Sequence, residues 1–322
     1  MNITIPNTSL SVSQICFGTG SIGSAVREEP AFRLLDLYVE LDGNFIDTAH
    51  CYGDWVAGIE RSASEKTIGR WMRARENRSE IVLATKGAHW LFDKPGVQRC
   101  RPADIRADLD ASLDALQIDC IDLYWLHRDD PEVPVGEILD TLEAARAEGK
   151  IRHYGASNWQ VCRMWAAGAA AADRGYAGFV ADQVWWNAAV IANYPYGARD
   201  VCFMDESRFI YHEQTGMAAI PFQSQAGGLF RHLARRTLDK MNPPAENAYR
   251  LPETSARLRR MEHLMGETGM NLPQLTLGWL RGQPFVTIPI VGCTREADLR
   301  ESMSALDHQL TPEQIRFISH GA

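Results

Sequence analysis

Short apolar runs recur along the chain, separated by longer stretches with helical spacing. Residues 44–49 (NFIDTA), 81–86 (IVLATK), 121–127 (IDLYWLH), 151–157 (IRHYGAS), 179–184 (FVADQV), 217–222 (MAAIPF) and 286–291 (VTIPIV) are rich in β-branched and aromatic side chains. They read as buried parallel strands, and CFGTG at 16–20 supplies an eighth. Ahead of it, two alternating stretches flank Pro6-Asn7, the pattern of a small N-terminal hairpin. Between the strands, apolar residues at three-to-four spacing predict helices over 31–42, 63–76, 103–117, 136–148, 160–173, 254–268 and 295–306. Ser62 or Ser64, Pro102 and Glu296 read as start signals; Gly149 and Gly269 read as stops. Two regions, 187–215 with NYPYGARD and 223–253 with NPPAEN, break the rhythm and read as long loops.

Strands alternating with helices suit either a closed barrel or a doubly wound sheet. Gly18 to Gly23 spells G-x-G-x-x-G, but the helical pattern starts only near residue 31, so the dinucleotide-fold context fails. The ionisable residues are the informative part. Asp47 lies inside NFIDTA, Lys86 closes IVLATK and His127 closes IDLYWLH. Charge after a buried strand is costly unless paired or used, and barrel chemistry gathers at strand C-termini. Each residue alone has a bland reading, as solvated lysine, structural histidine or capping aspartate; the combination is informative. Tyr52 and Gly53 follow in the loop DTAHCYG.

D-x-x-x-x-Y-G, then a strand ending in Lys, then one ending in Leu-His, resembles the aldo-keto reductase superfamily. The resemblance implies a single (β/α)8 TIM-barrel domain over 1–322, with an N-terminal β-hairpin and long loops at the C-terminal face. It implies a catalytic set of Asp47, Tyr52, Lys86 and His127. GASNW at 155–159 is similar to the family's carboxamide-holding pair, here Ser157 and Asn158, with Gln183 sharing the contact. Phe222 takes the place of a stacking ring that is commonly Tyr, and stacking does not need the hydroxyl. Gln223, Ser224, Gln225 and Gly228 would run along the pyrophosphate. Gly292 and Thr294 belong to the closing loop, and Arg295, Asp298 and Ser302 to the helix that receives the adenosine 2′-phosphate. Gly18, Thr19 and Asp47 complete the implied cofactor contacts. Asp298 departs from the family's usual Arg or Gln, and Ser302 from its Asn. An acid there repels a phosphate, which Arg295 would offset; the resemblance implies NADP(H), with NAD(H) as the alternative.

The implied chemistry is reduction of an aldehyde or ketone, a sugar among them, to an alcohol. The Lys86 ammonium would lower the Tyr52 pKa toward neutrality, Asp47 would hold Lys86, and His127 would donate to the carbonyl oxygen. Trp55 and Trp90, with Tyr52 and His127, are the expected substrate contacts; Arg128 suits an anionic substrate or a surface salt bridge. Two other readings stand beside this one: a Schiff-base lysine at Lys86, and a cofactor-binding regulatory subunit of the same fold without significant turnover.

Composition narrows the field. The 322 residues carry a formal net charge of −8, against nucleic-acid binding. The densest basic stretch, Arg231 to Lys240, reads as a solvated face. No apolar run spans a bilayer and no signal peptide is visible, so a cytoplasmic location is expected. The seven cysteines are scattered without a CxxC, as reduced thiols would be. His and Cys spacing shows no metal-ligand motif, and no metal is expected. The expected partner is a small carbonyl or alcohol substrate, with oligomeric state left open.

Overall fold

The computed structural model describes residues 2–192, 200–241 and 244–321. NYPYGAR at 193–199, within the first expected loop, lies outside the described residues, as do 242–243 in the second. A hairpin of β1 (Asn2–Thr4) and β2 (Ser11–Ser13) comes first, joined through Asn7 at φ +60°. The strands β3 (Cys16–Gly18), β4 (Phe45–Asp47), β5 (Val82–Gly87), β6 (Ile121–Leu126), β7 (Ile151–Ser157), β8 (Ala181–Gln183), β9 (Ala218–Ala219) and β10 (Ile290–Val291) form one eight-stranded parallel sheet. They pair in chain order, with β10 beside β3.

The sheet closes on itself. On one side of the last segment, Ala219 N–H donates to Val286 O and Ile288 N–H donates to Ala219 O, each at 2.9 Å. On the other, Cys16 N–H donates to Pro289 O at 2.9 Å and Ile290 pairs with Cys16. Residues 286–291 therefore stand between β9 and β3, which removes both sheet edges. The fold is the expected TIM barrel.

Strand parity decides what points inward. Phe45, Ala84, Leu123, Trp125, Ala181, Ala218, Ile288 and Ile290 share the interior cluster, with Ile5, Leu10 and Val12 of the hairpin region plugging one end. Ile46, Leu83, Tyr124 and Leu126 belong instead to the cluster between strands and helices. Asp47 stands two residues after Phe45, Lys86 two after Ala84, His127 two after Trp125 and Gln183 two after Ala181. All four continue inward-facing rows at the C-terminal rim.

Helices α1 (Glu28–Glu40), α2 (Ala63–Arg75), α3 (Pro102–Leu116), α4 (Val135–Ala147) and α5 (Val161–Arg174) follow strands in the predicted places. Further along come α6 (Glu206–Thr215), the short α7 (Leu229–Ala234), α8 (Leu251–Thr268), α9 (Leu272–Arg281), α10 (Glu296–Met303) and α11 (Pro312–His320). The apolar pattern does not predict α6, α7, α9 or α11. Three of these announce themselves by their caps instead. Asn271 with Gln274, and Thr311 with Gln314, form capping boxes, and Asp205 accepts from Arg208 N–H. Ser62, expected as a cap, sits left-handed at φ +56° and makes no capping bond; its hydroxyl meets His50 Nδ1 at 3.1 Å instead. No described helix is long and apolar enough to cross a membrane.

Candidate active site

The loop after β4 is built to present Tyr52. Thr48 N–H donates to Ala84 O and His50 N–H to Lys86 O, each at 2.9 Å, so the chain tracks β5 beyond its own strand. Thr48 Oγ1 donates to Ser64 Oγ at 2.9 Å, and Ser64 Oγ donates to Thr19 O at 3.0 Å, which fastens the loop to α2 and β3. Gly53 then turns the chain at φ +105°, where a Cβ would stand 3.0 Å from Ala63 Cβ; a larger residue would push Tyr52 off its place.

Lys86 Nζ lies 2.5 Å from Asp47 Oδ2, 2.6 Å from Thr48 O and 3.0 Å from Tyr52 Oη. The ammonium is fully buried and its donors are all aimed. His127 stands beside them, its ring 6.1 Å from that of Tyr52 at 75°. Four groups from β4, β5, the loop between them and the end of β6 thus converge on one point. Burial works against the Lys86 charge, but the Asp47 carboxylate and Tyr52 outweigh it and shift Lys86 upward. An ammonium whose pKa is raised and whose three donors are taken offers no free lone pair, which disfavours the Schiff-base reading.

The expected lowering of the Tyr52 pKa does not hold for the protein alone. Burial pushes the phenol above its ordinary value; Lys86 pulls it down without prevailing, and Asp47 raises it again. Desolvating a phenolate costs more than a shared ammonium returns. His127 is held well below its usual value by burial first, then by His89, Arg128 and Lys86. The set at neutral pH is a neutral phenol, a neutral imidazole and a charged amine.

The expected cofactor contacts fall into two groups. Near the rim, Gln183 Nε2 donates to Asp47 Oδ1 at 2.9 Å, Ser157 Oγ to Gln183 O at 2.9 Å, and Asn158 Nδ2 to both His127 O (3.1 Å) and Ser157 Oγ (3.0 Å). Ser157, Asn158 and Gln183 are therefore one network joined to Asp47 and His127. Thr19 Oγ1 donates to Asp47 O at 2.9 Å, and Gly18 pairs with Asp47 in register. Phe222 stands edge-on to Trp185 at 5.7 Å. Ser224, by contrast, is buried and donates to Ile290 O at 2.5 Å, while Gln223 O accepts from Asn187; these two hold the loop.

The second group lines a groove of about 730 Å³: Gln225, Gly228, Gly292, Thr294 and Asp298, together with Arg231. Gly227 and Gly228 turn the chain at φ +62° and +84°, and Gly228 N–H donates to Gln225 O at 2.9 Å, which sets the wall of the groove. Gln225 Nε2 donates to Ser302 Oγ at 2.9 Å, bracing the groove against α10. Asp298 is bracketed by Arg295 at 2.7 Å and Arg231 at 3.3 Å, and both hold its carboxyl below the usual range. Arg231 also binds Glu301 at 2.7 Å, so two guanidiniums face two carboxylates here. Arg231, expected on a solvated face, is a groove residue; α7 turns it inward.

At the mouth, Trp55 is 48% exposed and meets Tyr52 edge-on at 5.7 Å. Phe92, also exposed, lies 5.9 Å from Trp55 and 5.0 Å from Trp90. Trp90 Nε1 and Arg128 Nε both donate to Asp200 Oδ2, at 3.2 and 2.9 Å, so Arg128 forms a salt bridge. Phe92, His89 and Cys51 are residues that sequence reasoning did not single out. Phe92 was within reach, because it follows the lysine strand as Trp90 does. Although the sequence carries no metal-ligand spacing, ligand atoms of Cys51, His89 and His127 gather within 4.8 Å of one another. Each comes from a different strand end, so no spacing reveals them.

The sequence model of the Aldo/keto reductase family matches residues 14–320. The uncharacterized oxidoreductase YrpG of Bacillus subtilis is 29% identical over 97% of this chain and 93% of its own length. The norsolorinic acid reductase of Aspergillus flavus is 30% identical over 95% of this chain and 77% of its own. A crystallised thermostable aldo-keto reductase, in complex with the inhibitor epalrestat, superposes with a TM-score of 0.70 at 22% identity, covering 99% of this chain and 98% of that one.

Proposed function

This chain belongs to the aldo/keto reductase family, and on that premise we propose that it reduces an aromatic aldehyde or ketone to the alcohol with NADPH, Tyr52 giving the proton. The carrying observation is the phenol of Tyr52, 3.0 Å from a buried ammonium and beside a neutral imidazole. A nicotinamide cofactor, when bound, supplies the hydride. The chain's residues do the rest. His127, neutral, donates an N–H to the carbonyl oxygen and stabilises its developing charge. Tyr52 passes its proton to the same oxygen, and Lys86, kept charged by Asp47, compensates the nascent phenolate.

The chain's own residues fit such a cofactor. Ser157, Asn158, Gln183 and Phe222 would hold the nicotinamide end; Gly227, Gly228, Gly292 and Thr294 the pyrophosphate and ribose; Arg231 and Arg295 the 2′-phosphate. The family resemblance favours NADPH, and Arg231 and Arg295 would serve it by turning from Asp298 and Glu301 to the phosphate. A flat substrate is favoured by the exposed Trp55 and Phe92 and the partly buried Trp90 at the mouth. The names of related proteins agree, including norsolorinic acid reductases and a putative aryl-alcohol dehydrogenase of Saccharomyces cerevisiae.

The test is NADPH oxidation with a panel of aryl and alkyl carbonyls. Tyr52→Phe should lose activity by at least about 100-fold, the span of a general acid, with NADPH affinity unchanged by fluorescence titration. Near-full turnover in that variant would remove Tyr52 from its role. The absence of turnover in the unaltered chain, beside normal cofactor binding, would favour the regulatory reading.

A further inference from the structure

Cys51, His89 and His127 stand at the ends of three neighbouring strands, β4, β5 and β6. The reductase chemistry uses only the last of them. Cys51 and His89 are nonetheless buried, and the three side chains bring their ligand atoms within 4.8 Å of one another. Cys51 Sγ lies 3.7 Å from His127 Nδ1. A tetrahedral zinc ion, with bonds of about 2.3 Å to sulfur and about 2.0–2.1 Å to nitrogen, would hold such a pair roughly 3.6 Å apart.

His89 is already set in a ligating form. Its Nδ1 lies 2.7 Å from Trp90 O, and a carbonyl only accepts, so Nδ1 carries the proton and the Nε2 lone pair is free. Orientation of an imidazole by a backbone carbonyl is a usual support of metal-binding histidines. The two nearby cations are each paired with a carboxylate, Lys86 with Asp47 and Arg128 with Asp200.

We propose that Cys51, His89 and His127 form a binding site for one divalent transition-metal ion of the zinc class, with a fourth position left to water. As the metal–sulfur bond forms, the Cys51 thiol releases its proton to solvent. Through His127, the ion couples to the carbonyl-binding end of the active site, so metal occupancy alters the reduction.

Co²⁺ titrated into the full chain is the probe. The expected result is saturation at a single equivalent, with a near-ultraviolet thiolate-to-cobalt charge-transfer band and the intense visible bands of a tetrahedral site, both displaced by Zn²⁺. Cys51→Ser should abolish the charge-transfer band, and His89→Ala should weaken binding at least about tenfold. Cys162→Ser, which alters an exposed thiol elsewhere, should leave the spectrum unchanged. Circular dichroism checks that each variant is folded. An unaltered chain without the band, or a band that persists in folded Cys51→Ser, overturns the proposal. None of these readouts depends on carbonyl turnover.

Discussion

At the scale of single residues, the site is governed by the contest between desolvation and charge. Tyr52 is surrounded by protein, and burial raises its pKa more than Lys86 lowers it. A raised phenol keeps its proton across the range where the chain would reduce a carbonyl, and loses it only above the ordinary tyrosine value. The rate of reduction, as kcat/KM against pH, should therefore fall on its basic side above about pH 10. A basic limb near neutrality would mean that the ammonium had won. Asp47 contributes by position: it occupies Lys86 on one oxygen and Gln183 on the other. Asp47, Lys86 and His127 were legible because their residue types are costly at the ends of apolar strands, and Tyr52 through the spacing D-x-x-x-x-Y-G that the family resemblance rests on. Cys51 and His89 were not, because a cysteine and a histidine in loops are ordinary until the fold brings them together.

At the scale of elements, parity and capping did different work. The two-residue period of each strand carries Asp47, Lys86, His127 and Gln183 to the inside, and that period is visible in the sequence. Helices α9 and α11 rested on capping boxes, a signal that apolar periodicity does not contain. Helix α6 is fastened by a buried group of charges. Arg208 donates to Asp182 Oδ2 at 2.5 Å and to Trp159 O, while His212 Nε2 meets the same carboxylate oxygen at 3.2 Å. Burial would raise the Asp182 carboxyl, but Arg208 and His212 hold it below its ordinary value. A depressed native value means that this stabilisation is present above the unfolded carboxylate pKa near ~4 and is lost as pH falls through the lower native one. Arg208→Leu strands a buried carboxylate and should cost about 3–5 kcal/mol in urea denaturation. A loss below about 1 kcal/mol would show that α6 is held by packing alone.

At the scale of the whole molecule, closure creates both the site and the groove. Residues 286–291 complete the ring, and the chain leaving them forms the loop Gly292–Thr294 and then α10, facing α7 across the groove. Arg231 and Asp298 meet there although 67 positions separate them. Arg231→Ala should weaken NADPH about tenfold, as loss of one hydrogen bond to a charged group does, and leave NADH unchanged. Thermal melts at a fixed cofactor excess should show the same selectivity, since binding to the folded state raises stability. Equal losses for both cofactors would place Arg231 away from the 2′-phosphate.

The sequence by itself determined the alternation of strand and helix and the polar residues at the strand ends, because these depend on local periodicity and on the cost of burying charge; the family resemblance chose the barrel over a doubly wound sheet. Only the tertiary structure decided the sign of the Tyr52 shift, the turning of Arg231 into the groove and the meeting of Cys51, His89 and His127. Each of those depends on how deeply a group is buried and on neighbours from distant strands, which no local pattern encodes.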